Sequence, residues 1–328
     1  MTTTPDKDSA QPVCVFTGDA LGAYSFGESH PFGPARQSAF LGLFHESGLD
    51  QRTRICDPSQ ATQETIELFH SHEYVEWVKQ LSRDGEGLLD SGDTPAFPGM
   101  YEAAATVVGT TLRAIDEVMS SRCRRGFIPI AGLHHARRDG AAGFCVFNDC
   151  GVAIEYLRQK YSVNRVLYVD IDAHHGDGVL YGFEDDPDVR IVDVHEDGRY
   201  LYPGTGSSSE TGVGPAVGTK QNYPMAAGAV DADFFREWER ATGFMEESDP
   251  QFILLQCGAD SLDGDPLTHL RYTAAVHYRV ALDLAKLADR VAGGRIVAMG
   301  GGGYNLNNIS HGWCAIVRGL LDATERAN

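Results

Sequence analysis

The sequence predicts an α/β fold: a single domain with a central, mostly parallel sheet flanked by helices on both faces. Two observations carry the prediction. From Phe127 onward, short apolar runs alternate with longer amphipathic runs, and strands alternating with helices make a parallel sheet covered on both sides. The polar residues able to do chemistry cluster just behind the apolar runs, where open α/β sheets bind their ligands.

Taken in chain order, Met1 to Pro12 is rich in Thr, Asp and Ser and lacks an apolar signal core. It is expected to be a disordered lead-in to a domain covering residues 13–328. The run Phe127–Ile130 is short and apolar, and Gly151–Lys160 reads as a helix. Arg165–Val169, closed by Asp170, is the largely apolar run that a buried parallel strand requires. Val189–Val194 is a second strand. Phe252–Gln256 is a third, after a helix at Asp233–Met245. Arg295–Met299 is a fourth, after a helix at Ala274–Ala292, and a last helix is expected over Ile309–Arg326. Four polar segments follow these strands: Asp170–Asp177, His195–Gly206, Cys257–Asp265 and Gly300–Asn305. They are expected to converge on one pocket.

Composition narrows the function. The 328 residues, 42% of them apolar, can bury a large core. No apolar run approaches the ~20 residues that a membrane span needs. Seven cysteines, odd in number and without a CxxC pair, fit free thiols in a reducing cytoplasm better than a disulfide framework or a cysteine zinc site. The net charge of −19, with lysine only at Lys7, Lys79, Lys160, Lys220 and Lys286, argues against a nucleic-acid partner. The same balance suits cationic partners such as basic protein tails or polyamines, and equally a chain adapted for solubility.

The strongest local signal is Asp170–Gly178, with three carboxylates and two imidazoles directly behind a strand. Asp172 and His174, two apart on an extended segment, can point the same way and bind one metal. A third ligand must come from elsewhere, and Asp260 closes the neighbouring strand run. Two oxygen donors and one nitrogen, with a position open for water, describe a catalytic zinc site. A solvated acidic turn would explain any one of these residues, and a helix N-cap would explain Asp260 alone. Neither explains the whole set. His134 and His135, after a glycine, are metal ligands or proton-transfer groups, and Asp170 and Asp177 are spare carboxylates to orient them. Gly300–Gly303 followed by Tyr304 lacks the spacing of a phosphate loop. A tyrosine ending a glycine run suits a hydroxyl that reaches over a substrate carbonyl.

These motifs, together with His30–Arg36, Asp93–Gly99, Gly143–Asp149 and Tyr202–Gly206, run in order along nearly the whole chain. The sequence resembles the histone deacetylase superfamily, and within it the bacterial and archaeal acetoin-utilization deacetylase group; the fold implied is arginase/deacetylase-like. The resemblance implies that Asp172, His174 and Asp260 hold one zinc ion. It implies that His134 and His135 are the catalytic histidines, with Asp170 and Asp177 as partners, and that Tyr304 polarises the acyl carbonyl. Gly143, Phe144 and Tyr202 would line the acyl tunnel and Asp93 would hold substrate at the rim. Arg36 would lie near a cavity below the metal. Leu133 is the residue typical of the acetoin-utilization group. A structural potassium ion would use Asp170, Asp172 and His174 with Asp193 and Val194, although the family often has serine at the position of Asp193.

The activity implied is cytoplasmic, zinc-dependent hydrolysis of acetyl or other short acyl groups from lysine side chains of proteins. His135 would act as general base, His134 would tune the electrostatics, and one of the two would return a proton to the leaving amine. Three rivals compete. An acetylpolyamine amidohydrolase would do the same chemistry on acetylated small amines, and Asn222–Met225 resembles that group. An arginase-type binuclear manganese enzyme needs carboxylates where this chain has Gly176 and Leu262. A non-catalytic binding protein would have lost a ligand or the tyrosine, and none is lost.

Overall fold

The computed structural model describes residues 11–325. Its eight strands are β1 Gln11–Phe16, β2 Arg54–Cys56, β3 Cys123–Ile128, β4 Val166–Asp170, β5 Val189–Glu196, β6 Lys220–Met225, β7 Phe252–Gln256 and β8 Ile296–Met299. They form one sheet in the order β2-β1-β3-β8-β7-β4-β5-β6, and every pairing is parallel. The central strands β4, β7 and β8 are buried along their whole length. This is why their sequences read as continuous apolar runs rather than alternating ones.

The predicted elements are present with shifted ends. The helix expected at Gly151–Lys160 spans Asp149–Tyr161, that at Asp233–Met245 spans Asp231–Glu247, and that at Ala274–Ala292 spans Ala274–Val291. The last helix begins at Leu306, ahead of Ile309, and the expected terminus at Arg326 lies outside the described residues. Gln11 and Pro12, read as lead-in, begin β1, while residues 1–10 lie outside the described residues. Pro12 is tolerated because β2 pairs only with Cys14–Phe16, so no neighbour on that side needs its missing N–H.

The cysteines depart from the expectation of free thiols. Cys14 on β1 and Cys123 on β3 are bonded to each other, their Cα atoms 5.9 Å apart on adjacent strands. The other five cysteines are free and buried. No helix among the described residues is long and apolar enough to cross a membrane.

Candidate active site

The carboxyl ends of β3, β4, β7 and β8 point the same way, and the polar segments behind them meet there. Asp172, His174 and Asp260 are all buried, and their ligand-type atoms lie within 4.8 Å of one another. Nδ1 of His174 is 3.0 Å from Asp172 Oδ1 and 3.1 Å from Asp260 Oδ2. Each carboxylate is braced on its other oxygen. Asp172 Oδ2 accepts from Gln256 Nε2 and from the Gly302 N–H, both at 2.8 Å. Asp260 Oδ1 accepts from the Ala173 N–H at 2.9 Å. A side chain at Gly258 would collide with Asp172, and one at Gly302 with Asp260. The backbone thus closes around a pocket of donor atoms.

The electrostatics fit a cation. Burial, then the charge of Asp172, pushes the Asp260 carboxyl up to about 7. Burial would lower the His174 imidazole, but the hydrogen bonds and charges of Asp172 and Asp260 override it and push it up to about 10. Two buried carboxylates this close leave negative charge that water cannot solvate. Two oxygens and one imidazole nitrogen match a zinc-type donor set with room for further ligands. Among the described residues this is one group of three, as a single metal requires.

The histidine pair is fixed from behind. Asp149, the first residue of its helix, accepts the N–H groups of Gly132 and Leu133, and its capping neighbour Asn148 donates to the carbonyls of His134 and Ala136. His134 Nδ1 then bonds Asp170 Oδ2 at 2.8 Å, and His135 Nδ1 bonds Asp177 Oδ1 at 2.7 Å. Against burial, Asp170 and Asp172 raise the His134 imidazole, whereas burial and the neighbouring His134 lower that of His135. Charge is thus favoured on His134 and disfavoured on His135.

The walls complete the cavity. Tyr202 packs its ring 5.1 Å from that of His135, and Phe144 lies 5.8 Å from Tyr304, each edge to face. Gly143, with φ +53, presses against the His135 and Tyr202 rings, so a Cβ there would have no room. Phe144 has the left-handed φ of 66. Its N–H donates to Thr94 Oγ1 at 3.1 Å and its carbonyl accepts from the Tyr24 hydroxyl at 2.7 Å. Burial, then the charges of Asp260 and Asp172, hold the Tyr304 phenol well above its usual range, so it keeps its proton.

Asp93 is exposed at the rim beside Asp90 and Arg137, in a second cavity of about 400 Å³ that also touches Tyr202. Arg36 is buried. Its guanidinium donates to the carbonyls of Gly303 at 2.9 Å and Gly301 at 2.6 Å, with Nη1 left unpartnered. Leu133 is buried in the wall.

Asp170 and Asp193 pair in register on β4 and β5, with Val194 next. Asp170 already accepts from Tyr168, His134 and the Asp172 N–H, and Asp193 from His195 and the Gly176 N–H. Their geometry gives the potassium expectation no support beyond proximity. Asn222–Met225 lies in edge strand β6 beside a separate cavity of about 780 Å³, away from the His134, His135 and Tyr304 cluster. Asp149 and Gln256 were not singled out in the sequence. An acid opening a helix reads as a cap, and a glutamine ending a strand carries no signal of its own.

Residues 30–320 match the histone deacetylase domain family. The chain is 40% identical over 291 residues to the acetoin utilization protein AcuC of Bacillus subtilis (strain 168), covering 86% of this chain and 75% of that protein. It is 33% identical over 325 residues to the protein of the same name from Staphylococcus aureus (strain MSSA476), covering 96% and 83%. A crystal structure of the HDA15 HD domain superposes with a TM-score of 0.88 at 27% identity, covering 97% of this chain and 89% of that one.

Proposed function

The chain belongs to the histone deacetylase family and is a deacetylase, and from that premise we propose that it is a zinc-dependent hydrolase of acetylated, or otherwise short-acylated, lysine side chains in proteins. Asp172, His174 and Asp260 would hold the zinc ion. When bound, it supplies Lewis acidity to the acyl carbonyl and lowers the pKa of a water beside it. The remaining steps belong to the chain. Nε2 of His135, backed by Asp177, takes the proton of the attacking water. Tyr304 donates its hydroxyl to the oxygen of the tetrahedral intermediate. His134, charged against Asp170, steadies that oxyanion, and one of the two histidines returns a proton to the departing amine. Phe144, Gly143 and Tyr202 enclose the aliphatic lysine stem and exclude water, while Asp93 grips the substrate at the rim. The cytoplasm is the proposed location, and no residue set is assigned to potassium.

One observation carries this reading: Nε2 of His134 and of His135 converge beside the Asp172, His174 and Asp260 cluster. In the structure, the polyamine alternative is favoured by the acidic rim at Asp90 and Asp93. The test is turnover by the purified protein on an acetyl-lysine peptide and on acetylspermidine, with chelation and zinc add-back. Faster turnover of the peptide, lost on chelation and restored by zinc, is expected. Activity indifferent to chelation would overturn the zinc assignment, and a preference for acetylspermidine would overturn the substrate class.

A further inference from the structure

The residues before Tyr304 are glycines, and Gly301 and Gly303 have positive φ, +66 and +124. A tyrosine at the end of so permissive a backbone will not hold one direction unaided. The structure supplies an external hold on a single peptide group. The Gly303 carbonyl accepts from Nε of buried Arg36 at 2.9 Å. On the other side of the same peptide, the Tyr304 N–H donates to Oδ2 of Asp265 at 2.8 Å, an oxygen the Asn305 N–H shares at 3.3 Å. Asp265 is itself buried, and its other oxygen is taken by the Leu267 N–H at 3.0 Å. The peptide plane that aims Tyr304 is clamped between a buried cation and a buried carboxylate.

The segment that carries Asp265 is tied to the site at several points. Thr268 Oγ1 donates to the carbonyl of Asp260 at 2.5 Å. Further along, the His269 N–H and imidazole reach the buried carboxylate of Glu196, at the end of β5, at 2.8 and 2.7 Å. Asn305 Nδ2 donates back to the Gly264 carbonyl at 3.0 Å. Residues 262–272 form a long connection with no regular element of their own, yet they are braced against the candidate metal ligand Asp260 and against β5. A turn aspartate that served only its own loop would be satisfied by Leu267 alone. Asp265 spends its second oxygen on the residue proposed to polarise the substrate.

We propose that Asp265 is a positioning residue: with Arg36 it fixes the Gly303–Tyr304 peptide, so that the Tyr304 hydroxyl is already aimed when substrate arrives. This rests on the reading of Tyr304 as oxyanion donor. Orientation set in advance acts on the transition state more than on substrate binding, and a misplacement of about 1 Å can cost ~10²-fold in rate. Replacing Asp265 with Asn leaves one acceptor oxygen where two are used and turns an N–H₂ group against an N–H. It should therefore slow kcat and spare KM.

The experiment is a double-mutant cycle of Asp265→Asn and Tyr304→Phe in the zinc-loaded full chain. Metal content and circular dichroism are followed alongside kcat and KM. Asp265→Asn alone is expected to lower kcat about tenfold, with KM within about twofold and zinc content unchanged. In the Tyr304→Phe background it should cost nothing further. An equal loss in both backgrounds, or an unchanged kcat in the single variant, would overturn the proposal while leaving the proposed function standing. Tyr304→Phe with full activity would instead sink the role of the tyrosine, and the inference with it. A readout independent of turnover is the ¹⁹F spectrum of fluorotyrosine-labelled protein, with Tyr304 assigned by its loss in Tyr304→Phe. Asp265→Asn should broaden or split that signal alone, and an unchanged signal counts against the clamp. Should the Asn variant fail to fold, Asp265→Ser, which removes the carboxylate without adding a misplaced N–H₂ group, takes its place in both measurements.

Discussion

Nε2 of His134 and Nε2 of His135 lie 3.1 Å apart, each ring backed by its own carboxylate. Two imidazoles at that distance cannot both be charged cheaply, so the proton settles on the one with the stronger negative surroundings. Asp170 and Asp172 give that to His134, and His135 is left neutral.

Removing the carboxylate behind the base should therefore be costly. In Asp177→Asn the His135 ring keeps at most a neutral amide oxygen on Nδ1 and loses the negative charge behind it, and kcat is expected to fall by ~10²-fold or more, within the range general-base catalysis supplies. Steady-state kinetics with parallel metal analysis would check it. Unchanged kcat, with zinc retained, would remove the dyad from the proton transfer.

Tyr304→Phe deletes one hydroxyl and little volume. Loss of one oxyanion donor costs ~10²–10³-fold in kcat, and zinc content should not change because the proposed ligands Asp172, His174 and Asp260 are left intact. A variant that turns over normally would show that the hydroxyl takes no part.

The rim should report on pH. Partial desolvation against the rim, then the hydrogen bond and charge of Asp90, push the Asp93 carboxyl up to about 6. It is ionised above that value and neutral below, so acidification from pH 7 to 5 removes the charge that would grip substrate. KM is expected to rise across that window, and the rise should vanish in Asp93→Asn. The same KM slope in the variant would assign the dependence to another group.

Metal should stabilise the fold through the native state alone. Zinc at about 100 times its Kd would add ~2.7 kcal/mol, seen as a higher melting temperature after add-back to chelated protein. Asp260→Ala should abolish the shift. A shift that survives in the variant would place the ion elsewhere.

Thr94 is a small test of the tunnel wall. It is buried, and its hydroxyl accepts the N–H of Phe144, whose backbone is left-handed. Thr94→Val would leave that N–H without its partner, at a cost of ~1–3 kcal/mol, and should raise KM as Phe144 leaves its place. Thermal unfolding and KM read the two effects separately.

The sequence by itself determined the class of fold and pointed to the candidate metal cluster of Asp172, His174 and Asp260. Strands buried on both faces must be apolar throughout, so β4, β7 and β8 announce themselves, and the residues behind them mark the site. It did not disclose β1, β2 or β6. Gln11–Phe16, Arg54–Cys56 and Lys220–Met225 lie toward the sheet margins, where mixed polarity blurs the pattern. Contacts between distant side chains lie outside any local pattern: the family resemblance implied the histidine–aspartate partners, which the tertiary structure places in contact, and only the tertiary structure brought Arg36 and Asp265 together. His134 is 36 residues from Asp170, and His135 42 residues from Asp177. Arg36 and Asp265 come to one peptide from 267 and 39 residues away. Local pattern fixes the elements because their periodicity is local. Partnership between side chains depends on the order in which the strands enter the sheet, and no local pattern carries that order.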